Sequence, residues 1–222
     1  MARRVEFTKA GSPSTIRVTE MPMPEPKQGQ VRVKVAFAGI NFADLLMRLG
    51  FYQPRPPYPF TPGYEVSGTI DALGEGESHF TIGQRVVAAM STGGQSSHVV
   101  VDIKRVLPLP EEISLEAAAA MPVTYLTAHH MLHHLGHLDE NESVLIHGGA
   151  GGVGTAALQL CQWAGVSKVW ATASGSKSDI IESYGGRAID RHNQDFVSII
   201  KKETDNEGVD HILDPIGGDN LT

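Results

Sequence analysis

Hydrophobic and polar positions follow two different rhythms along this chain. Up to about residue 101 the apolar positions come in alternating or short runs. Val31, Val33, Val35 and Phe37 interleave with Arg32, Lys34 and Ala36, the period of a strand with one buried face. Residues 3–37 therefore read as antiparallel sheet, broken by the loop Pro22-Met-Pro-Glu-Pro26, which cannot be a central strand. Apolar runs at 66–72, 85–89 and 97–101 are separated by glycine-rich turns, the spacing of a small barrel or sandwich. Between them, 39–50 reads as a short helix, with Asn41 at the N-cap, Asp44 in the first turn and Gly50 at the C-cap. Residues 51–60 hold four prolines and read as an irregular loop that gathers Phe51, Tyr52, Tyr58 and Phe60. Ser114 is placed to cap a helix through Ala120. Pro122 interrupts it, and a second helix follows from about Thr124 to Leu135.

After residue 143 the rhythm changes to strand 144–147, helix 153–164, strand 168–173, helix 177–184, strand 187–190, helix 194–203 and strand 209–213. That alternation is the signature of a parallel sheet with crossover helices. The domain boundary is expected near residue 125, giving domains 1–125 and 126–222. At the first strand–helix junction, Gly149, Gly151 and Gly154 fit G-x-G-x-x-G within the loop Gly149-Ala150-Gly151-Gly152-Val153-Gly154. A bare match can be only a glycine-rich turn. Here it lies between a buried strand, Val144-Leu-Ile146, and a helix whose Val153, Ala157, Leu160, Cys161 and Ala164 recur at helical spacing. The first glycine allows a tight turn, the second lets a pyrophosphate approach the backbone, and the third lets helix pack on strand. The amides at the helix start then face the phosphate charge. The loop predicts dinucleotide binding.

Composition narrows the rest. The chain has 222 residues, 41% hydrophobic, enough for one large or two modest domains. A formal net charge of -7 argues against a nucleic-acid partner. Cys161 is the only cysteine, so neither a disulfide framework nor a thiolate zinc site forms within one chain. No stretch reaches transmembrane length, and the expectation is a soluble cytoplasmic protein.

Several stretches together resemble the quinone oxidoreductase family of medium-chain dehydrogenases/reductases. They are Gly39-Ile-Asn-Phe-Ala-Asp44, Thr61-Pro-Gly-Tyr-Glu-Val-Ser-Gly68, Ile82-Gly-Gln-Arg-Val86, Glu116-Ala-Ala-Ala-Ala-Met-Pro122, Leu126-Thr-Ala128 and His147-Gly-Gly-Ala-Gly-Gly-Val-Gly154. Asn41-Phe-Ala-Asp44, Thr172-Ala-Ser174 and Asp214-Pro-Ile-Gly-Gly218 look closest to the vesicle amine transport protein branch. The resemblance implies a fold of class α/β with β. A GroES-like, partly barrelled catalytic domain would be followed by a Rossmann domain, a doubly wound parallel sheet, with the cofactor in the cleft between them. In the zinc alcohol dehydrogenases of the superfamily, the positions of Asn41 and Tyr64 hold a cysteine and a histidine ligand. Neither is present here, and the four-cysteine structural zinc lobe is absent too. No catalytic metal is expected.

Chemistry without a metal favours substrates that delocalise incoming electrons themselves, such as quinones and enones. These need chiefly an oriented nicotinamide and a hydrogen-bond donor. Asn41 and Tyr52 are the candidates, carried over from the family's active-site asparagine and loop tyrosine. The family often has another tyrosine in the helix after Asp44, where this chain has Leu46. Each candidate has a plainer alternative. Asn41 can serve as a helix cap, Tyr52 can pack in its loop, and Thr127, which resembles a residue beside the nicotinamide, can cap a helix. Glu65 reads as a buried partner rather than an acid catalyst.

The cofactor is expected to be NADPH. An NAD site places an acid about 20 residues beyond the glycines. The strand here ends Trp170-Ala-Thr-Ala-Ser-Gly-Ser-Lys177, with no acid before Asp179. Ser174 and Lys177 suit a 2′-phosphate, although Lys177 can also be a solvated lysine at a helix start. Arg191, where relatives often carry tyrosine near that phosphate, can add a bidentate contact.

His129, His133 and His137 fall at i, i+4 and i+8 within a run that also holds His130 and His134. Imidazoles one turn apart can share an ion, but no carboxylate–histidine motif accompanies them, and a polar or half-buried helix face is the simpler reading. Three functions follow: an NADPH-dependent reductase of quinones or other conjugated carbonyls, an enoyl-thioester reductase, or a nucleotide-binding, vesicle-associated regulatory protein with little turnover. The count of four strands after residue 143, where a full sheet of this type has six in the order 3-2-1-4-5-6, leads to one more expectation. The Rossmann domain is expected to lack its C-terminal half, which makes this chain a poor catalyst alone, and a homodimer is expected at the family's full length.

Overall fold

The computed structural model describes residues 1–53 and 55–221, so one of the four loop prolines, Pro54, lies outside the described residues. The chain forms two compact units, Met1–Val123 and Thr124–Thr222.

In the first unit, β1 (Ala2–Phe7) and β2 (Ile16–Met21) form an antiparallel ribbon, and β1 makes isolated bridges from Arg4 to Ser96 and from Phe7 to Phe60. A five-stranded antiparallel sheet holds the core. Its strands are β3 (Gln30–Ala38), β4 (Glu65–Leu73), β5 (Arg85–Ala89), β6 (His98–Asp102) and β7 (Val106–Pro108), in the order β6-β3-β4-β5-β7. Val31 and Val33 turn inward against Val66, Ile70, Val86 and Val99, as alternation demands. The alternation then breaks. The pairing of β3 with β4 slips between Val35 and Phe37, and Phe37 emerges 44% exposed instead of facing the core. Strand β7 was not legible, because a three-residue run ending in proline carries no period. Its place at the sheet edge is where proline is tolerated.

Helix α1 (Phe42–Leu49) starts at Asn41 and stops at Gly50, which takes φ 86. It lays Met47 on Phe7 and Phe60, with Tyr52, Tyr58 and Tyr64 around them. Helix α2 (Leu115–Ala119) is capped by Ser114, whose Oγ accepts from Ala117 N at 3.1 Å. Pro122 does not interrupt a helix but opens the next one, α3 (Pro122–His129), a position where its missing N–H costs nothing. The expected single helix to Leu135 changes pitch at His130 and runs on as a π-helical turn, His130–Leu135.

The second unit is a parallel sheet of β8 (Ser143–His147), β9 (Lys168–Ala173), β10 (Arg187–Asp190) and β11 (His211–Leu213), in the order β10-β9-β8-β11. Helices α4 (Gly152–Trp163), α5 (Ser178–Ser183) and α6 (Phe196–Glu203) make the crossovers. The expected start of α5 at residue 177 is instead a 3₁₀ turn, Gly175–Lys177. Strand β8 is buried at every position, as a central parallel strand must be. Ala156, Ala157, Leu158 and Cys161 of α4 pack on Val144, Ile146 and Ala171.

Candidate functional site

The glycine loop sits where β8 meets α4. Its left-handed residue is Gly148, φ 69, and not Gly149, to which the motif had assigned the tight turn. Gly149 is required for a different reason. A Cβ there would lie 2.5 Å from the Cβ of Ala171 on β9. At Gly154 a Cβ would lie 2.6 Å from the Cα of Gly149, so this glycine does let helix meet strand closely. Thr172 holds the loop from β9. Its carbonyl accepts from Gly149 N at 2.9 Å, and its hydroxyl accepts from Gly148 N at 3.3 Å. His147 lies beneath, 2% exposed, with Nδ1 3.1 Å from the same hydroxyl, and burial pushes its imidazole pKa down.

The N-cap of α4 is Gly151, which brings no side-chain cap, so the first-turn amides of Gly152, Val153 and Gly154 keep their donors. At the loop opens a cavity of ≈ 220 Å³ whose lining includes Gly151 but not Gly149, Gly152, Val153 or Gly154. Gly148, Ala150 and Gly151 form its floor, and Ser174, Lys177 and Arg191 form its rim. Ala173 and Ile216 complete the lining and were not anticipated. Ile216 is held there by Asp214, whose Oδ1 accepts from Ile216 N at 2.9 Å and Gly217 N at 2.8 Å. The Asp214-Pro-Ile-Gly-Gly218 stretch was the available signal. The carboxylate at the end of β10, Asp190, does not line the cavity. It accepts from Asn193 Nδ2 at 2.7 Å and His192 N at 3.0 Å, which hold it below its ordinary pKa. A cationic rim with its acid tied elsewhere, next to uncapped amides, fits a phosphorylated dinucleotide. Thr127 is exposed on α3 and does not line this cavity.

The first unit carries a separate constellation. Asp44 fixes the start of α1, with Oδ2 accepting from Asn41 N at 2.9 Å and Oδ1 from Gly63 N at 3.0 Å. The Asn41 side chain donates from Nδ2 to Glu65 Oε1 at 2.8 Å. The other oxygen of Glu65 accepts from Val123 N at 2.8 Å. Glu65 is 2% exposed, and burial pushes its carboxyl up, as it does that of Asp44. Gly39 makes room for this pair, because any Cβ there would strike Glu65 Oε1 and the carbonyl of Ala119. Tyr52 pairs with Tyr64 instead, their rings edge to face at 6.5 Å. Burial first, and Tyr52 second, raise the Tyr64 phenol. No hydrogen bond joins Asn41 to Tyr52 among the described residues. A wider groove of ≈ 460 Å³ runs beside β1, β2 and β3, lined by Val18, Val35 and Ile40 among others, and includes neither candidate.

Two family descriptions match the chain: Alcohol dehydrogenase GroES-like domain over residues 27–111, and Zinc-binding dehydrogenase over 152–222. The Synaptic vesicle membrane protein VAT-1 homolog of Danio rerio is 44% identical over 197 residues, 88% of this chain and 40% of its own length. The chain spans about half the length of the VAT-1 homologues it matches, 56% of the human one. Quinone oxidoreductase of Homo sapiens is 31% identical over 225 residues, covering 100% of this chain and 68% of that protein. Among solved structures, the CurK enoyl reductase superposes with a TM-score of 0.93 at 33% identity, covering 99% of this chain and 69% of that one. The Escherichia coli quinone oxidoreductase complexed with NADPH gives 0.89 at 29% identity, covering 99% and 68%. A GroES-like antiparallel sheet, a parallel sheet in Rossmann order and these likenesses lead to one assignment: the chain belongs to the medium-chain dehydrogenase/reductase superfamily, in its quinone-oxidoreductase-like branch near the VAT-1 homologues.

Proposed function

We propose that this chain is the NADPH-binding part of an oxidoreductase that passes hydride to a quinone or another conjugated carbonyl without a catalytic zinc. The observation that carries the reading is the rim of the glycine-loop cavity, where Ser174, Lys177 and Arg191 stand and, among the described residues, no carboxylate does. When bound, NADPH supplies the hydride. The amides of Gly152, Val153 and Gly154 would hold its pyrophosphate, and the rim cations would hold its 2′-phosphate. The likeness to the NADPH-complexed Escherichia coli enzyme supports the same cofactor.

The residues at the superfamily's zinc positions do not fit the metal, because an amide and a phenol replace thiolate and imidazole. Asn41 then serves as the neutral donor. One of its Nδ2 hydrogens is committed to Glu65, which fixes the amide's orientation and leaves the second to meet a substrate oxygen. Tyr52, engaged with Tyr64, shapes the neighbouring wall. A second reading, reduction of enoyl thioesters, is favoured by the likeness to the CurK enoyl reductase. A third is a vesicle-associated nucleotide sensor with little turnover, suggested by the VAT-1 homologues. We place the protein in the cytoplasm or on a vesicle surface, and as a homodimer.

Calorimetry with NADPH and NADH tests the cofactor. NADPH binds more tightly, and Lys177→Ala and Arg191→Ala each cost about tenfold in NADPH affinity, the value of one charge-assisted contact. Tighter NADH binding, or a preference indifferent to both substitutions, rejects the reading. NADPH oxidation across quinones, enones and enoyl thioesters separates the three functions.

A further inference from the structure

Four imidazoles take no part in the nucleotide site. His129 ends α3, and His130, His133 and His134 belong to the π-helical turn that follows. The sequence had put His129, His133 and His137 on one face. In the structure His137 lies beyond Gly136 with φ 53, off the helix. Two neighbouring pairs form instead. The rings of His129 and His133 are 4.9 Å apart and inclined by 51°, and those of His130 and His134 are 4.7 Å apart. The Nε2 atom of His133 is shut off from solvent and has no hydrogen-bond partner. The ring's aromatic neighbours are His129 and the edge-on indole of Trp163 at 6.2 Å. A buried nitrogen without a partner is rare in a native protein and calls for a ligand or another explanation.

We propose that His129 and His133 form a two-imidazole site for a late first-row divalent cation such as Cu²⁺, Ni²⁺ or Zn²⁺, and that His130 and His134 form a second beside it. Neutral imidazole is the preferred protein donor for these ions. An ion between His129 and His133 would also satisfy the orphaned nitrogen. No group of three or more His, Cys, Asp or Glu side chains gathers among the described residues, so the site offers two side-chain donors. Such a site exchanges its ion freely, unlike a four-ligand structural cage. Mg²⁺ and Ca²⁺, which demand oxygen ligands, do not compete.

The test uses the whole chain without a histidine tag, titrated with Cu²⁺ or Ni²⁺ by calorimetry and by tryptophan emission. Trp163 is 79% exposed beside His133, whereas Trp170 is 7% exposed, so Cu²⁺ at the first site quenches Trp163. We expect two ions, with Cu²⁺ bound more tightly than Ni²⁺. His129→Ala and His133→Ala each weaken one step by about tenfold or more, the loss of one of two chelating donors, and abolish the quench. His134→Ala removes the other ion and keeps the quench. His129 is exposed, so its replacement tests the site even where loss of the half-buried His133 disturbs folding. Binding unchanged in both His129→Ala and His133→Ala overturns the proposal. An equal response to Mg²⁺ overturns it too.

Discussion

Glu65 shows how one buried side chain can set the behaviour of another. Its two oxygens receive the Asn41 amide and the Val123 N–H, so it orients the proposed donor without touching substrate. In Glu65→Gln the new amide turns one donor hydrogen toward Asn41, which must flip to answer it. We expect kcat with a quinone acceptor to fall by about ten- to a hundredfold, the cost of a misplaced donor, while NADPH affinity holds. An unchanged kcat, or a loss confined to NADPH binding, removes Glu65 from this role. The same residue has a pH signature. Burial raises its folded pKa above the ordinary 4.5, so the native chain holds the proton longer than the unfolded one. The stability this contributes is complete below the ordinary value and is lost as pH rises through the raised one. Urea denaturation of wild type and Glu65→Gln should therefore show the wild-type advantage shrinking as pH rises above the ordinary 4.5. An advantage that grows as pH rises contradicts the burial account. Asn41 was legible as a helix cap from its spacing to Gly50. Its bond to Glu65 was not, because two residues 24 apart leave no periodic trace of their meeting.

At the scale of elements, the glycine loop is over-determined in some places and slack in others. A Cβ at Gly154 would run into the backbone of Gly148 and Gly149, neither of which can rotate away. At Gly152 it would meet only Thr124 Cγ2, at 3.0 Å, the end of a side chain. Gly154→Ala should cost about 1–3 kcal/mol of stability in chemical denaturation, the range for overpacking, and Gly152→Ala much less. The reverse order would mean that helix and strand are not packed as described. The elements were readable wherever one period held. Continuous burial marked β8, 3.6-residue spacing marked α4, and alternation marked the first half of β3. They were unreadable where the period changed within an element, as at the slip that exposes Phe37 and the pitch change at His130. Strand order in the antiparallel sheet was also hidden, since alternation says which face is buried but not which strand lies alongside, whereas the parallel sheet follows the 3-2-1-4 part of the expected order. The turn residue was misread by one place because Gly148 and Gly149 are adjacent. Only φ 69 at Gly148 tells them apart.

The molecule as a whole divides its labour between two units, and both tryptophans, Trp163 and Trp170, fall in the second. Tryptophan emission thus follows the nucleotide-binding unit alone. At a hundred times its dissociation constant, NADPH should raise that unit's unfolding free energy by about 2.7 kcal/mol, with a smaller rise for NADH at the same concentration. Equal stabilisation by the two nucleotides would deny the rim cations their role. Fold and family were legible because many short motifs agreed over the whole length. The substrate was not, because Leu46 stands where relatives often carry a tyrosine. One feature of the core also turns the chain into its own stopwatch. Cys161 is the only thiol, it is 0% exposed among the residues that pack α4 on β8, and burial pushes its pKa up to about 11. A chromogenic disulfide reagent finds no thiolate on the closed protein, so colour appears only at the pace of the core's transient openings. Saturating NADPH should slow that colour. A reaction that is immediate, or blind to nucleotide, would show that the thiol is reached by some route other than opening of the glycine-loop helix.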